Sequence, residues 1–280
     1  MIRLENLSKV FHPGTANENV AVRQVDLTVR EGDFVTIIGS NGAGKTTLFN
    51  LVSGTTPVSA GRVFVNDVDV TKHPEHRRAR YIGRIFQDPL LGTASNMMVA
   101  DNMMICYRKG MKGLRISLNA RMRDYFHEKL KDLEMGLEHR MDDNVGLLSG
   151  GQRQALTLLM MVLSEPSLVL LDEHTAALDP KNAQIVLDLT SRFIEEYRLT
   201  SMMITHNMVQ AIKYGNRLLM MDRGEIILDV SGEDEIERLS SRNRRFRILS
   251  LLHQGEVVAL LCKQIEQQIL RLLVSLDGKH

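Results

Sequence analysis

Phe34-Val35-Thr36-Ile37-Ile38-Gly39-Ser40-Asn41-Gly42-Ala43-Gly44-Lys45-Thr46-Thr47 is the stretch that decides the fold. A β-rich run feeds a glycine-bearing turn that satisfies G-x-x-x-x-G-K-[ST], the pattern of a phosphate-binding loop. The glycines let the backbone curl so that successive N–H groups point inward at phosphate oxygens. Leu48, Leu51 and Val52 follow at helical spacing, with Gly54 placed as a C-cap, so the loop opens a helix whose positive dipole end also faces the anion. In this arrangement Lys45 reaches the β and γ phosphates and Thr46 ligates Mg2+.

Outward from this loop, 280 residues with 44% hydrophobic content bound the answer to a globular chain of one large domain or a domain plus an appendage. Thirty-five basic residues against 34 acidic leave a formal charge of +1, so no global field advertises nucleic acid or an anionic membrane as the main partner. Cys106 and Cys262 match no metal-ligand spacing and fit reduced, buried thiols in a cytosolic protein. The N-terminus lacks a signal-peptide layout, and no apolar stretch reaches the ~20 residues that span a bilayer. Leu156 to Leu163 is too short to cross and reads as a buried helix.

Short alternating segments at Ile2 to Leu7, Val25 to Val29, Gly61 to Val65 and Val68 to Val70 predict antiparallel strands beside an α/β core. Between Gln87 and Gly146 the character turns helical, with Asn96 placed to cap Met97 to Cys106 and with Met122, Phe126, Leu130 and Leu133 on one face of a second helix. Leu168 to Leu171 is a continuous apolar run, as expected of a parallel strand buried on both faces. A helix from Asn182 to Tyr197, a strand from Ser201 to Thr205, and a hairpin around Asp222-Arg223-Gly224-Glu225 complete the pattern. Beyond about residue 236 the rhythm changes to a basic run, Arg242 to Arg247, and an apolar helical stripe from Val257 to Leu276, which predicts a C-terminal helical extension.

Leu171-Asp172-Glu173 ends the buried strand, where open α/β sheets place their ligands. Alone, an acidic pair is often a solvated turn; with Lys45 and Thr46 it becomes a metal-positioning carboxylate beside a phosphate site. Leu148-Ser149-Gly150-Gly151-Gln152 starts another helix, with Ser149 as N-cap and Gln152 at N3 forming a capping box.

Gly39 to Thr47, Gln87, Leu148 to Gln152, Leu168 to Glu173, Ala177-Leu178-Asp179 and His206 resemble, in order and approximate spacing, the nucleotide-binding subunits of ATP-binding cassette (ABC) transporters, over residues 1 to about 235. The resemblance implies an α/β P-loop NTPase (RecA-like) core with an antiparallel β subdomain and a helical subdomain at about 88–160. It implies a head-to-tail homodimer in which Ser149, Gly151 and Gln152 of one copy cap the ATP held by the other copy's Gly39, Ser40, Asn41, Gly42, Ala43, Gly44, Lys45, Thr46 and Thr47. Phe11 takes the place of the family's adenine-stacking Tyr, keeping the π face without the hydroxyl. Gln87 resembles the glutamine that contacts Mg2+ or the attacking water, and Asp172 the aspartate that holds Mg2+. Glu173 resembles the glutamate that polarises the water, His206 the switch histidine at the γ-phosphate, and Asp179 the aspartate at the dimer interface.

The function this implies is ATP hydrolysis, with Lys45, Glu173 and His206 catalytic, powering import through separate integral membrane permease subunits from the cytoplasmic face of the membrane. His174, in Asp-Glu-His-Thr-Ala-Ala-Leu-Asp-Pro, resembles a bacterial subgroup associated with amino-acid-type permeases and substrate-binding proteins. Pro89, Leu90, Leu91, Met97 and Met98 lie where the family receives its permease. Two alternatives stay open: an ATPase of a lipid-transport system, and a soluble non-transport ABC protein, for which the arginine run is the only support. No nucleic acid partner is expected.

Overall fold

The computed structural model describes residues 1–107 and 118–232. In chain order its strands are β1 (Ile2–Phe11), β2 (Asn19–Val29), β3 (Phe34–Gly39), β4 (Ala60–Val65), β5 (Val68–Asp69), β6 (Ile82–Ile85), β7 (Leu168–Asp172), β8 (Ser201–Ile204), β9 (Arg217–Asp222) and β10 (Glu225–Ser231). The helices are α1 (Lys45–Ser53), α2 (Glu75–Arg78), α3 (Val99–Tyr107), α4 (Ala120–Lys131), α5 (Gly150–Leu163), α6 (Pro180–Glu196) and α7 (Met208–Tyr214).

Strands β2-β1-β4-β5 form an antiparallel sheet, and β10-β9-β3-β8-β7-β6 form a second. In the second sheet β9, β3, β8, β7 and β6 run parallel, while β10 pairs antiparallel to β9. Alternation of side chains divides this sheet between two cores. Val35, Ile37, Leu168, Leu170, Met202, Ile204, Leu219 and Met221 pack with α1 and the antiparallel sheet. Val169, Leu171 and Met203 pack instead with α3, α4, α5 and α6. A sheet covered on both faces explains why β7 reads as an unbroken apolar run. The four Met pairs at 103/104, 160/161, 202/203 and 220/221 are all buried core.

Several boundaries depart from the sequence reading, each for a tertiary reason. The first hairpin is longer than expected, because β1 continues to Phe11 through register shifts and pairs it with Asn19. Asn96 does not cap α3. That helix begins at Val99, whose N–H donates to Asp143 O (3.0 Å), while the next N–H, of Ala100, donates to Met141 O (3.0 Å). A neighbouring backbone therefore takes the donors that a local cap would have satisfied. Asn119 caps α4, and Asp179 caps α6, which starts at Pro180, two residues before the predicted Asn182. Cys106 is half-buried instead of buried, packed at the edge of the helical core. Cys262, the arginine run and the predicted C-terminal helix lie outside the described residues.

Candidate active site

The loop after β3 is shaped by conformations that only glycine adopts cheaply. Gly39 has φ 151° and Gly44 has φ 99°; a Cβ on either would fall 2.2 Å from Met221 O or 2.3 Å from Ala21 O. The loop is thereby pressed onto β9 and β2, and Gly224 N donates to Ala43 O at 3.0 Å to hold it there. Gly42, by contrast, has open space where a Cβ would stand, and its φ of 82° alone favours glycine there. Lys45, at the start of α1 and only 5% exposed, donates from Nζ to Gly39 O and Ser40 O, both at 2.9 Å. Burial pulls its ammonium below the ordinary lysine range, opposed by the nearby charges of Glu173 and Asp172. A partly desolvated lysine bonded only to carbonyls inside a loop of N–H donors is primed to bond an anion. Ser40, Asn41, Thr46 and Thr47 sit on this loop or on the first turn of α1.

Three adjacent parallel strands beside β3 deliver the remaining groups to the same carboxyl edge. Asp172 is the last residue of β7, with Glu173 directly after it; His206 follows β8, and Gln87 follows β6. Glu173 has φ 48°, a left-handed conformation that a non-glycine residue holds at a cost of about 1 kcal/mol or more. It brings the Glu173 carboxylate to His206, with Oε1 2.6 Å from Nε2. Next to it His174 is buried, its Nε2 3.1 Å from Thr190 Oγ1; because that hydroxyl donates to Val186 O, the imidazole N–H donates to Thr190. Burial holds this imidazole down at about 4, so it is neutral at physiological pH.

Ser149 and Gln152 form the predicted capping box at the start of α5. Gln152 is bonded within its own chain: Oε1 accepts from Ser149 N and Arg140 Nη1, both at 3.1 Å, and Nε2 donates to Met135 O at 3.2 Å. Its side chain holds the helix tip in place, and of its two amide N–H donors one goes to Met135 O and the other is not taken up by these bonds. Gly151 lies against α6, where a Cβ would meet Asn182 at 2.9 Å, so glycine is required for this close approach. Phe11 is half-buried at the end of β1 with Lys9 Nζ 5.0 Å from its ring centre, while His12 beside it is exposed.

Three arginines that sequence reasoning passed over brace these elements. Arg78, 1% exposed, donates to Leu51 O (2.7 Å), Val52 O (2.8 Å), Thr71 O (2.8 Å) and His73 O (2.9 Å), closing the C-terminus of α1. Arg153 reaches Val145 O, Gly146 O and Leu148 O beneath the Ser149 turn. Arg84 on β6 pairs with Asp172 at 2.8 Å. No motif in an arginine's sequence context announces such contacts, which for Arg78 and Arg84 include carbonyls and a carboxylate 26 to 88 residues away.

The donor set suits Mg2+ and no soft metal: Thr46 offers a hydroxyl, Asp172 a carboxylate and Gln87 an amide carbonyl, all hard oxygens. Among the described residues no cluster of three His, Cys, Asp or Glu could hold a metal by itself.

The ABC transporter family profile matches residues 22–176. A tyrosine transport ATP-binding protein of Clostridioides difficile is 39% identical over 236 residues, covering 84% of this chain and 94% of the relative. A phosphonates import ATP-binding protein, PhnC of Lactococcus lactis subsp. cremoris, is 33% identical over 236 residues, covering 82% and 92%. Among solved structures, the dimeric post-hydrolysis state of the ATP-binding cassette MJ0796 bound to ADP and Pi superposes with a TM-score of 0.68 at 26% identity, covering 82% of this chain and 98% of that one. With its phosphate loop, acidic strand end and capped Ser-Gly-Gly-Gln helix in this order and fold, the chain belongs to the ABC transporter family, as its ATP-binding, ATP-hydrolysing cassette.

Proposed function

We propose that this cassette powers solute import, of an amino acid or related small molecule, through separate permease subunits at the inner face of the membrane, working with a substrate-binding protein. The observation that carries the ATPase part is the convergence of Lys45, His206, Asp172–Glu173 and Gln87 on the carboxyl edge of adjacent strands β3, β8, β7 and β6. Import is supported by the names of the relatives, for tyrosine transport and phosphonate import. Among the described residues no helix is long and apolar enough to cross a membrane; a translocation path in separate chains is supported by relatives named as transport and import ATP-binding proteins. Exposed Leu90, Leu91, Met97 and Met98 offer an apolar, adaptable surface just after Gln87 for a permease to seat on. Residues 1–235 are taken as the cassette, with about 88–160 its helical subdomain.

In this reading Phe11 stacks on adenine, the loop from Gly39 to Thr47 cradles the phosphates, and Lys45 offsets charge on the γ-phosphate. Mg2+, held by Thr46, Asp172 and Gln87, supplies further charge neutralisation on the phosphate oxygens when bound. Glu173 orients and polarises the attacking water, and His206, already bonded to Glu173, steadies that carboxylate and faces the phosphate. A second copy presents Ser149 and Gly151 to the same nucleotide. Gln152 of that copy joins them, since its Nε2 has a second N–H besides the one given to Met135 O.

Glu173→Gln tests the assignment: it is expected to cut ATP turnover at least about a hundredfold while ATP still binds and the closed dimer persists. Unchanged steady-state turnover would reject the role. For the substrate, the cassette isolated with its native permease and reconstituted in proteoliposomes should drive ATP-dependent uptake of an aromatic amino acid; uptake of phosphonate alone would redirect the reading to the second relative's class.

A further inference from the structure

Arg84 occupies a position that the hydrolysis scheme above does not use. Its side chain is 10% exposed, and that of its partner Asp172 is 12% exposed. Nη2 donates to Asp172 Oδ2 at 2.8 Å, and Nη1 donates to Asn50 Oδ1 at 2.7 Å. The two contacts reach different elements: Asp172 ends β7, and Asn50 lies on α1. Asn50 sits four residues after Thr46, so the two share one face of the helix, a turn apart. The guanidinium carbon stands 4.8 Å from the ring centre of Phe86, the residue before Gln87. Nε is buried with no hydrogen-bond partner. An unpaired buried donor costs about 1–3 kcal/mol, so the side chain is held for what its fork bridges and not for its own satisfaction.

We propose that Arg84 is a positioning residue for the Mg2+ site: its fork ties the Asp172 carboxylate to the face of α1 that carries Thr46, setting the spacing of the two groups that would hold the ion. It engages only Oδ2, leaving Oδ1 for the metal or its water. A planar two-pronged donor can hold a carboxylate and an amide at once, which the single ammonium of lysine cannot do in the same geometry. Residues that orient a metal's carboxylate from behind commonly change metal affinity by about 10- to 100-fold when removed. The proposal rests on the reading of Asp172 and Thr46 as Mg2+ groups.

The test is the Mg2+ concentration that half-saturates binding of the fluorescent ATP analogue mant-ATP to the full chain, alongside mant-ATP binding in EDTA. Arg84→Met is expected to raise the Mg2+ half-point about tenfold or more, with binding in EDTA changed by no more than about twofold. Arg84→Lys should shift the half-point nearly as far, because charge without the fork does not bridge, and Asn50→Ala should shift it in the same direction by a smaller factor. Recovery of the wild-type half-point in Arg84→Lys would overturn the proposal in favour of simple charge balance. Equal loss of binding in EDTA and in Mg2+ would overturn it in favour of packing. If Arg84→Met fails to fold, Arg84→Lys and Asn50→Ala decide the matter alone. Asp172→Ala separates the underlying reading: a wild-type Mg2+ half-point in that variant removes Asp172 from the metal site whatever Arg84 does.

Discussion

Arg78 shows how a buried charged residue is accommodated mainly by carbonyl oxygens. Its guanidinium is buried against four carbonyl oxygens, two of them at the C-terminal end of α1, where the helix dipole is negative. Gly54, with φ 82°, packs on the same side chain: a Cβ there would lie 2.7 Å from Arg78 Nε. Arg78→Met removes the donors and leaves those carbonyls buried, so it should destabilise the fold by about 3 kcal/mol, read as a lowered urea midpoint. An unchanged midpoint would mean that water replaces the guanidinium at no cost. His174 carries the pH dependence at this scale. Burial lowers its pKa from 6.5 to about 4, so the folded protein binds this proton more weakly than the unfolded chain. Stability from this site is complete above about pH 6.5 and is lost as pH falls toward about 4, amounting at full size to about 3 kcal/mol. The slope of stability between about pH 7 and pH 5 should flatten in His174→Asn, which does not titrate there; an equal slope would place the acid sensitivity elsewhere.

At the scale of elements, α5 is the clearest case of a local signal surviving into structure. The Ser149 hydroxyl accepts from Gln152 N at 3.2 Å, and Gln152 Oε1 in turn accepts from Ser149 N at 3.1 Å. Ser149→Ala should lower stability by about 1 kcal/mol and speed amide exchange at 150–152, whereas Ser149→Thr, which keeps the cap, should restore both. Protected amides in the alanine variant would show that Arg140 and Arg153 hold the tip without the cap. The capping box, the phosphate loop, β7 and the β9–β10 hairpin were legible because each is specified by neighbours in sequence: glycine conformations, side chain to backbone caps, and period-two or unbroken apolar runs. The start of α3 was not, since its first donors are satisfied by the backbone at 141 and 143, and the true end of β1 was hidden by register shifts within its pairing. In the same way His206 and Glu173 could be placed by motif order, while the Arg84–Asp172 pair spans 88 residues and has no local signature.

At the scale of the whole molecule the proposed site is divided between two surfaces. The carboxyl edge of the large sheet carries Lys45, Asp172, Glu173 and His206, whereas the Ser149 helix tip is packed on the start of α6, with Gly150 against Leu178 and Gly151 against Asn182. Large exposed apolar residues stand beside both, Leu147 before the tip and Val209 after His206. If two copies associate head to tail, each nucleotide is completed by Lys45 of one and Ser149 of the other, and a two-fold axis makes both composite sites equal. Lys45→Ala and Ser149→Arg should each abolish hydrolysis as pure proteins, because every site then carries the defect. Mixed, the two variants form hybrid dimers in which one site collects both lesions and the other is intact. With random pairing half of the dimers are hybrid, so activity should return to about a quarter of wild type. The recovery should grow with the time allowed for subunit exchange and vanish if exchange is blocked by crosslinking before mixing. A mixture as inactive as its components would show that each copy completes its nucleotide site alone, and the head-to-tail arrangement would fail with it.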